Sequence, residues 1–228
     1  MYLSKITLRP DAGDRRPFWR LIQNSYEVHT LIWDMFGDDP DRKRDFLFRT
    51  QYDESLPSFF VVSSREPENR YDVWSIQPKQ YDPVLEQGQQ LSFMLRANPV
   101  RTKTDENKKQ KRHDVVMDVK KRLESEGIPS HSRPIESDIV QKAGFAWLAT
   151  RSESYGFSIQ EGMVRADGYL QHRLKKPHGS HEVKFSTIEF SGLLTVEDPI
   201  RVVEMLFQGI GPAKGFGCGL MLVKPVYT

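Results

Sequence analysis

The segment from Gly209 to Gly219, GIGPAKGFGCG, places five glycines in eleven residues and constrains the fold more than any other stretch of the chain. A simple turn does not need so many. The backbone there must approach another group closely or adopt several positive-φ conformations, which glycine enters without strain. Its neighbours fix what the segment is not. Pro199 to Gln208 reads as a helix and Leu220 to Lys224 as a strand, so the loop runs from helix to strand. A P-loop runs from strand to helix and ends in Gly-Lys-Ser/Thr, and a dinucleotide fingerprint needs a glycine where Lys214 stands. Two readings of Gly209, Gly211, Gly215, Gly217 and Gly219 stay open: tight packing against neighbouring elements, or a backbone cradle for phosphates assisted by Lys214.

The rest of the chain is α+β in pattern. Tyr2 to Leu8 alternates with period two and stops at Arg9-Pro10, as a half-buried strand does. From Pro17 to Phe36 the apolar residues Phe18, Leu21, Ile22, Val28, Ile32 and Phe36 recur at helical spacing, and Gly37 closes the run. A charged connector, Asp38 to Arg44, leads to two paired strands, Phe46–Tyr52 and Phe59–Ser64, and a short strand is expected at Val73–Ile76. Leu91–Ala97 alternates again and ends at Asn98-Pro99, which completes about half a ferredoxin-like unit. Residues 101–112, RTKTDENKKQKR, have almost nothing apolar and read as an exposed linker or lip. Helices are expected at Asp114–Ser125 and Ser137–Thr150, then long β segments at Tyr155–Leu174 and Glu182–Val196 around the turn KKPHGS. The second half thus ends strand, strand, helix, glycine loop, strand, an order that echoes the first half without a sequence repeat.

The 228 residues allow one large domain or two small ones. A single cysteine, Cys218, excludes an intramolecular disulfide framework and any cysteine-rich metal site, and fits a reducing compartment. No apolar run approaches the roughly 18 residues that span a bilayer, and MYLSKITLRP lacks the apolar block of a signal peptide, so the chain reads as soluble and cytoplasmic, with no membrane partner. No HxH or HExxH occurs, and His113, His131, His172, His178 and His181 are scattered or sit in basic turns, so neither a metal nor another cofactor is expected.

A formal charge of +2 argues against a globally polycationic protein, but the average conceals a division. Acidic residues such as Asp38, Asp39, Asp41, Asp53 and Glu54 offset basic clusters elsewhere. Residues 101–122 carry about +5, through Arg101, Lys103, Lys108, Lys109, Lys111, Arg112 and three more; residues 165–184 carry about +3, through Arg165, Arg173, Lys175, Lys176 and Lys184. Each cluster is either a solvated face or a binding surface. A β-hairpin with a cationic tip is a shape that enters a nucleic-acid groove, and in A-form RNA the deep groove is most open beside a loop or a helix end. No recognition-helix pattern favours DNA.

On the long helix, Tyr26 and His29 are three residues apart and project to one side. A helical wheel puts His29 within the apolar stripe of Phe18, Ile22, Ile32 and Phe36, with Tyr26 at its edge. Either His29 is a satisfied core histidine, or the stripe is interrupted by Ser25 and His29 because it lines a cleft between two domains. In the second case a histidine that titrates near neutrality serves as general acid or base and the tyrosine positions a substrate group.

The MYLSKITL strand, the helix carrying Tyr26 and His29, the strand ending LRANPV, and the closing GIGPAKGFGCGLM together resemble the CasE family, the CRISPR-associated endoribonucleases of Cascade systems. The resemblance covers essentially the whole chain. It implies tandem ferredoxin-like (RRM-like) domains, divided here as residues 1–100, a basic linker and helix at 101–136, and 137–228. It also implies metal-independent cutting of CRISPR repeat RNA at the base of its hairpin, leaving a 2′,3′-cyclic phosphate, and retention of the product with other Cascade subunits. The family's helix tyrosine and histidine fall on Tyr26 and His29, and its groove-entering hairpin on Arg165–Lys184. A cation beside the reacting phosphate is expected, with Lys214 and Arg20 as candidates. The alternative is a non-catalytic RNA-hairpin-binding subunit of a ribonucleoprotein.

Overall fold

Period-two patterns and proline stops dominate the sequence, and they become two antiparallel sheets in the computed structural model of the chain, which describes residues 1–9, 25–37, 43–52, 57–70, 72–104, 108, 110–175 and 182–226. The first sheet holds β1 (Tyr2–Leu8), β2 (Phe46–Tyr52), β3 (Pro57–Ser63) and β4 (Trp74–Gln80) in the order β2-β3-β1-β4. Helix α1 (Ser25–Asp34) lies between β1 and β2 in sequence; the expected helix start at Pro17, with Phe18, Leu21 and Ile22, falls outside the described residues. Ile6, Leu8, Phe46, Phe48, Phe59 and Val61 turn one face of this sheet toward Val28, Ile32, Met35 and Phe36, closing a core. Strand alternation sends Leu3, Leu47 and Val62 to the opposite face, where they meet Leu220, Phe207 and Leu222 of the other half of the chain. Both faces of β3 are therefore covered, which is why Phe59-Phe60-Val61-Val62 is a continuous apolar run rather than an alternating one.

The second sheet is built around β5 (Gln90–Ala97), β10 (Glu182–Val196) and β11 (Met221–Pro225), with β8 (Phe157–Ser158) and β9 (Val164–Lys175) both on the outer side of β10. The alternation of Leu91–Ala97 predicts a strand that completes the first unit, with a boundary at residue 100, yet β5 pairs with β10 from Gln90↔Thr195 to Ala97↔Ile188 and with β11 from Leu91↔Pro225 to Leu95↔Met221. The alternation marks a strand correctly, but alternation carries no information about which strands pair. Each sheet then has the same order, first strand between third and fourth with the second outermost, and the chain is a tandem of ferredoxin-like units. The first unit has no described helix between β3 and β4.

The basic run at 101–112 also differs from the expected linker. It forms a two-stranded ribbon, β6 (Val100–Thr104) with β7 (Gln110–Asp114), paired from Val100↔Asp114 to Thr104↔Gln110. Exposure of both faces removes the apolar alternation by which a strand is recognised. The Asp114 side chain then accepts from the amides of Val116 and Met117 and so caps α2 (Val115–Ser125). Helices α3 (Glu136–Ser152) and α4 (Pro199–Gln208) cover the second sheet, packing Val140, Trp147, Leu148, Val202 and Leu206 on Leu91, Phe93, Leu95 and Phe190. Among the described residues no helix is long and apolar enough to cross a membrane.

Candidate active site at the junction of the two units

Helix α1 buries Val28 and Ile32 against the first sheet, which leaves His29 half-buried at the edge of that contact rather than within the core stripe. Its ring meets Trp33 of the same helix at 5.6 Å between centroids and Phe216, from the glycine-rich loop of the other unit, at 5.8 Å. The loop does adopt the positive-φ conformations that its composition suggested: Gly209, Gly211, Gly217 and Gly219 have φ between 76° and 92°, and Ala213 joins them at 61°. At Gly209 a Cβ would come within 2.8 Å of a Leu47 methyl and 2.9 Å of the Gly219 carbonyl oxygen, so packing alone demands glycine there. Gly215 faces the site. A Cβ would reach 3.2 Å from Arg44 Nη1 and 3.4 Å from His29 Cε1, so the loop, the imidazole and a guanidinium converge on one point.

Arg44, beside His29 and Gly215, is not among the residues the sequence singles out. It closes the charged connector ahead of β2, and nothing local separates it from Arg42 and Lys43; only the seating of β2 beneath α1 brings it to His29. Lys214, one of the two candidate cations, donates from Nζ to the Gln208 carbonyl oxygen at 2.6 Å and so ties the loop to the end of α4. Arg20, the other candidate, lies outside the described residues. Tyr26 is on α1, three residues before His29.

Burial lowers the pKa of His29 below its ordinary value; a hydrogen bond with the Gly215 backbone opposes this, and the nearby Arg44 charge lowers it further. Burial likewise lowers Arg44, and burial with Arg44 lowers Lys214. The imidazole is therefore neutral at pH 7 and able to accept a proton, with cations beside it.

The predicted RNA-binding residues are spread over the ribbon, the hairpin and the glycine-rich loop. Several have intramolecular partners: Arg101 and Lys103 pair with Asp118 of α2, the latter at 2.5 Å, Arg165 with Asp167 at 2.5 Å, and Lys184 with Glu182 at 2.8 Å. Lys108 and Lys111 are exposed on the ribbon. Arg112, Arg173 and Lys184 gather around one cavity between the ribbon and the β9–β10 hairpin. Lys109 and Lys176 lie outside the described residues, and Lys175 ends β9. Among the described residues no group of three or more His, Cys, Asp or Glu side chains is placed to hold a metal ion.

The units are joined by more than the loop. Arg49 of β2 donates to Glu189 of β10 at 2.8 Å, and Arg96 of β5 donates to the other carboxylate oxygen of Glu189. Beside this cluster, Cys218 is fully buried and its thiol pKa is pushed up to about 12, chiefly by desolvation, which leaves it unreactive.

A family model described as CRISPR associated protein matches residues 1–225. The chain is 30% identical over 236 residues to the CRISPR system Cascade subunit CasE of Escherichia coli strain K12, covering 99% of this chain and all of that protein. It is 29% identical over 245 residues to the CRISPR-associated endoribonuclease Cse3 of Thermus thermophilus, with 99% and 100% covered. A solved structure of CRISPR endoribonuclease Cse3 bound to a 19-nucleotide RNA matches with a TM-score of 0.71 at 26% identity, covering 99% of this chain and 100% of that one. Full-length matches in sequence and in fold agree with the doubled strand order, and the chain belongs to the CasE family of CRISPR-associated proteins.

Proposed function

We propose that the protein is an endoribonuclease that cuts CRISPR repeat RNA at the base of its hairpin and stays bound to the product as a Cascade subunit. The observation that carries this reading is the meeting of a half-buried, neutral His29 with Arg44 and Gly215 at the junction of the two units. The endoribonuclease and Cascade names of its relatives support it.

The ribose 2′-hydroxyl oxygen bonds to the adjacent phosphorus while the bond from phosphorus to the 5′-oxygen breaks in line. The hydroxyl proton passes to His29, and the departing 5′-oxygen takes up a proton. The products are a 2′,3′-cyclic phosphate and a 5′-hydroxyl. Arg44 stabilises the charge that grows on the non-bridging oxygens, a task suited to a cation held in a partly dehydrated site. Tyr26 positions the ribose or protonates the leaving oxygen. Glycine-loop amides and the cations of the two hairpins hold the RNA backbone.

The test is cleavage of the cognate repeat RNA in EDTA. The unmodified protein should give one discrete cut, and His29→Ala should slow it by about 10²–10⁴-fold while RNA binding persists. Unchanged cleavage by His29→Ala removes the residue from the mechanism. Continued cutting of an RNA with hydrogen in place of the 2′-hydroxyl at the cut site sinks the proposed nucleophile. A mobility shift without any cut identifies a non-catalytic hairpin-binding subunit.

A further inference from the structure

The cavity between the β6–β7 ribbon and the β9–β10 hairpin encloses about 370 Å³, and the reaction assigned to His29 leaves it without a role. One wall is aromatic. Phe185 and His172 face each other across the hairpin register and stack with centroids 4.6 Å apart and planes 15° apart, and His172 Nε2 lies 2.9 Å from Thr187 Oγ1. Arg112 comes from the ribbon and Arg173 and Lys184 from the hairpin; Lys184 keeps Glu182 at 2.8 Å, which leaves Arg112 and Arg173 against the carboxylate of Asp114. That carboxylate is already engaged: Oδ1 caps α2, and Oδ2 accepts from the Tyr169 hydroxyl at 2.9 Å. The balance selects an anion.

Two further lining residues are unusual. Asn98 and Ser186 are only 6% and 3% exposed, yet Asn98 Oδ1 and Ser186 Oγ have no hydrogen-bond partner among the described residues. Buried polar atoms are nearly always satisfied, and two orphans lining one cavity point to a ligand that satisfies them. An amide and a hydroxyl each offer donor and acceptor capacity, which matches the edge of a nucleobase. An aromatic ring at the end of a stacked column, cations and buried amide chemistry together describe a nucleotide site, and the volume lies within the range of small-molecule cavities, roughly 300–1,000 Å³.

We infer that this cavity holds one unpaired nucleotide of the bound RNA, with its base against the His172 ring and its edge read by Asn98 and Ser186, and with its phosphate met by Arg112 and Arg173. The inference rests on the endoribonuclease reading. Bases within a stem keep their edges paired, whereas an unpaired base beside the stem can splay into an aromatic pocket. The cavity is also close to the reaction. Phe185 stacks on Phe216 at 5.0 Å, and Phe216 stands 5.8 Å from His29, so a nucleotide seated there is a near neighbour of the scissile phosphate.

The experiment uses the full chain and a repeat RNA blocked from cleavage by a 2′-deoxy sugar at the cut site. Each unpaired nucleotide flanking the stem is made abasic in turn, and affinity is measured. One position should weaken binding by about 5- to 150-fold, as loss of a stacked base does. The same position carrying 2-aminopurine should lose fluorescence on binding. Asn98→Ala should weaken the intact RNA and have no further effect on the RNA abasic at that position. If every abasic RNA binds like the parent, or if Asn98→Ala and the abasic lesion add independently, the nucleotide site is overturned while the endoribonuclease reading stands. If the unblocked RNA is neither bound nor cut, both fall together.

Discussion

The two units share a strand order and differ in what covers their sheets. In the second, α3 and α4 close a core that is complete by itself. The first has α1 over one face of its sheet and turns the other face, through Leu3, Leu47, Phe60 and Val62, onto Leu220, Phe207 and Leu222 of its neighbour. The lesson concerns the site as much as the fold. A unit that completes its core on another must be docked in one orientation, and that docking brings the glycine loop of the second unit against His29 of the first.

The docking can be broken at Glu189, which receives Arg49 from the first unit and Arg96 from its own. Arg49 is 6% exposed, and its Nε and Nη1 already have no hydrogen-bond partner among the described residues. Glu189→Ala would strand two guanidinium groups, one of them buried, and should lower the unfolding free energy by about 3–5 kcal/mol in a denaturant titration. A loss below about 1 kcal/mol would mean that the apolar face alone sets the docking. Next in size is Arg44→Ala, which should slow single-turnover cleavage by about 10²–10³-fold with RNA binding retained. Lys214→Ala should change the rate much less, because its ammonium group already serves the Gln208 carbonyl. Equal losses for the two would contradict the assignment of the stabilising cation.

Such differences explain what could be read from the sequence and what could not. Apolar runs between turn residues mark β2, β3 and β10, and period-two alternation marks β1 and β5, to within a residue or two. It assigned β5 to the wrong sheet because pairing partners are set by packing between distant segments. It missed β6 and β7 because an exposed ribbon has no apolar face to record. His29 was legible as a chemically odd residue in an apolar stripe, but its choice between core and cleft depended on Gly215 and Phe216, which lie almost two hundred residues away in sequence. Arg44 carried no local signal at all.

The two basic hairpins can be compared directly through salt. Arg173 lines the cavity on the long hairpin, whereas Lys103 on the ribbon is held by Asp118 at 2.5 Å. A lysine that keeps an intramolecular carboxylate partner releases few counterions on binding RNA. Arg173→Ala should reduce the slope of log affinity against log salt by about 1, and Lys103→Ala should leave it nearly unchanged. A reversed result would make the ribbon the principal phosphate contact.

The smallest effect expected is in pH, and for stability its sign is the same on the two sides of the junction. His29 on α1 has its pKa lowered by burial, and His172 on β9 has its pKa lowered by burial and by Arg96. The unfolded chain returns both to about 6.5. Between the folded values and 6.5 the unfolded state binds more protons, so stability is greatest above that window, falls as pH drops through it, and stops falling on this account once both rings are protonated. Each histidine contributes at most one proton to the slope, and His29→Gln should remove one share while leaving that of His172. The cleavage rate should follow His29 alone: as a base it should act at full rate above its lowered pKa, giving a plateau that begins below about pH 6.5. If the rate instead falls as pH rises through roughly 5 to 7, His29 acts as the proton donor and the roles of the histidine and Tyr26 are exchanged.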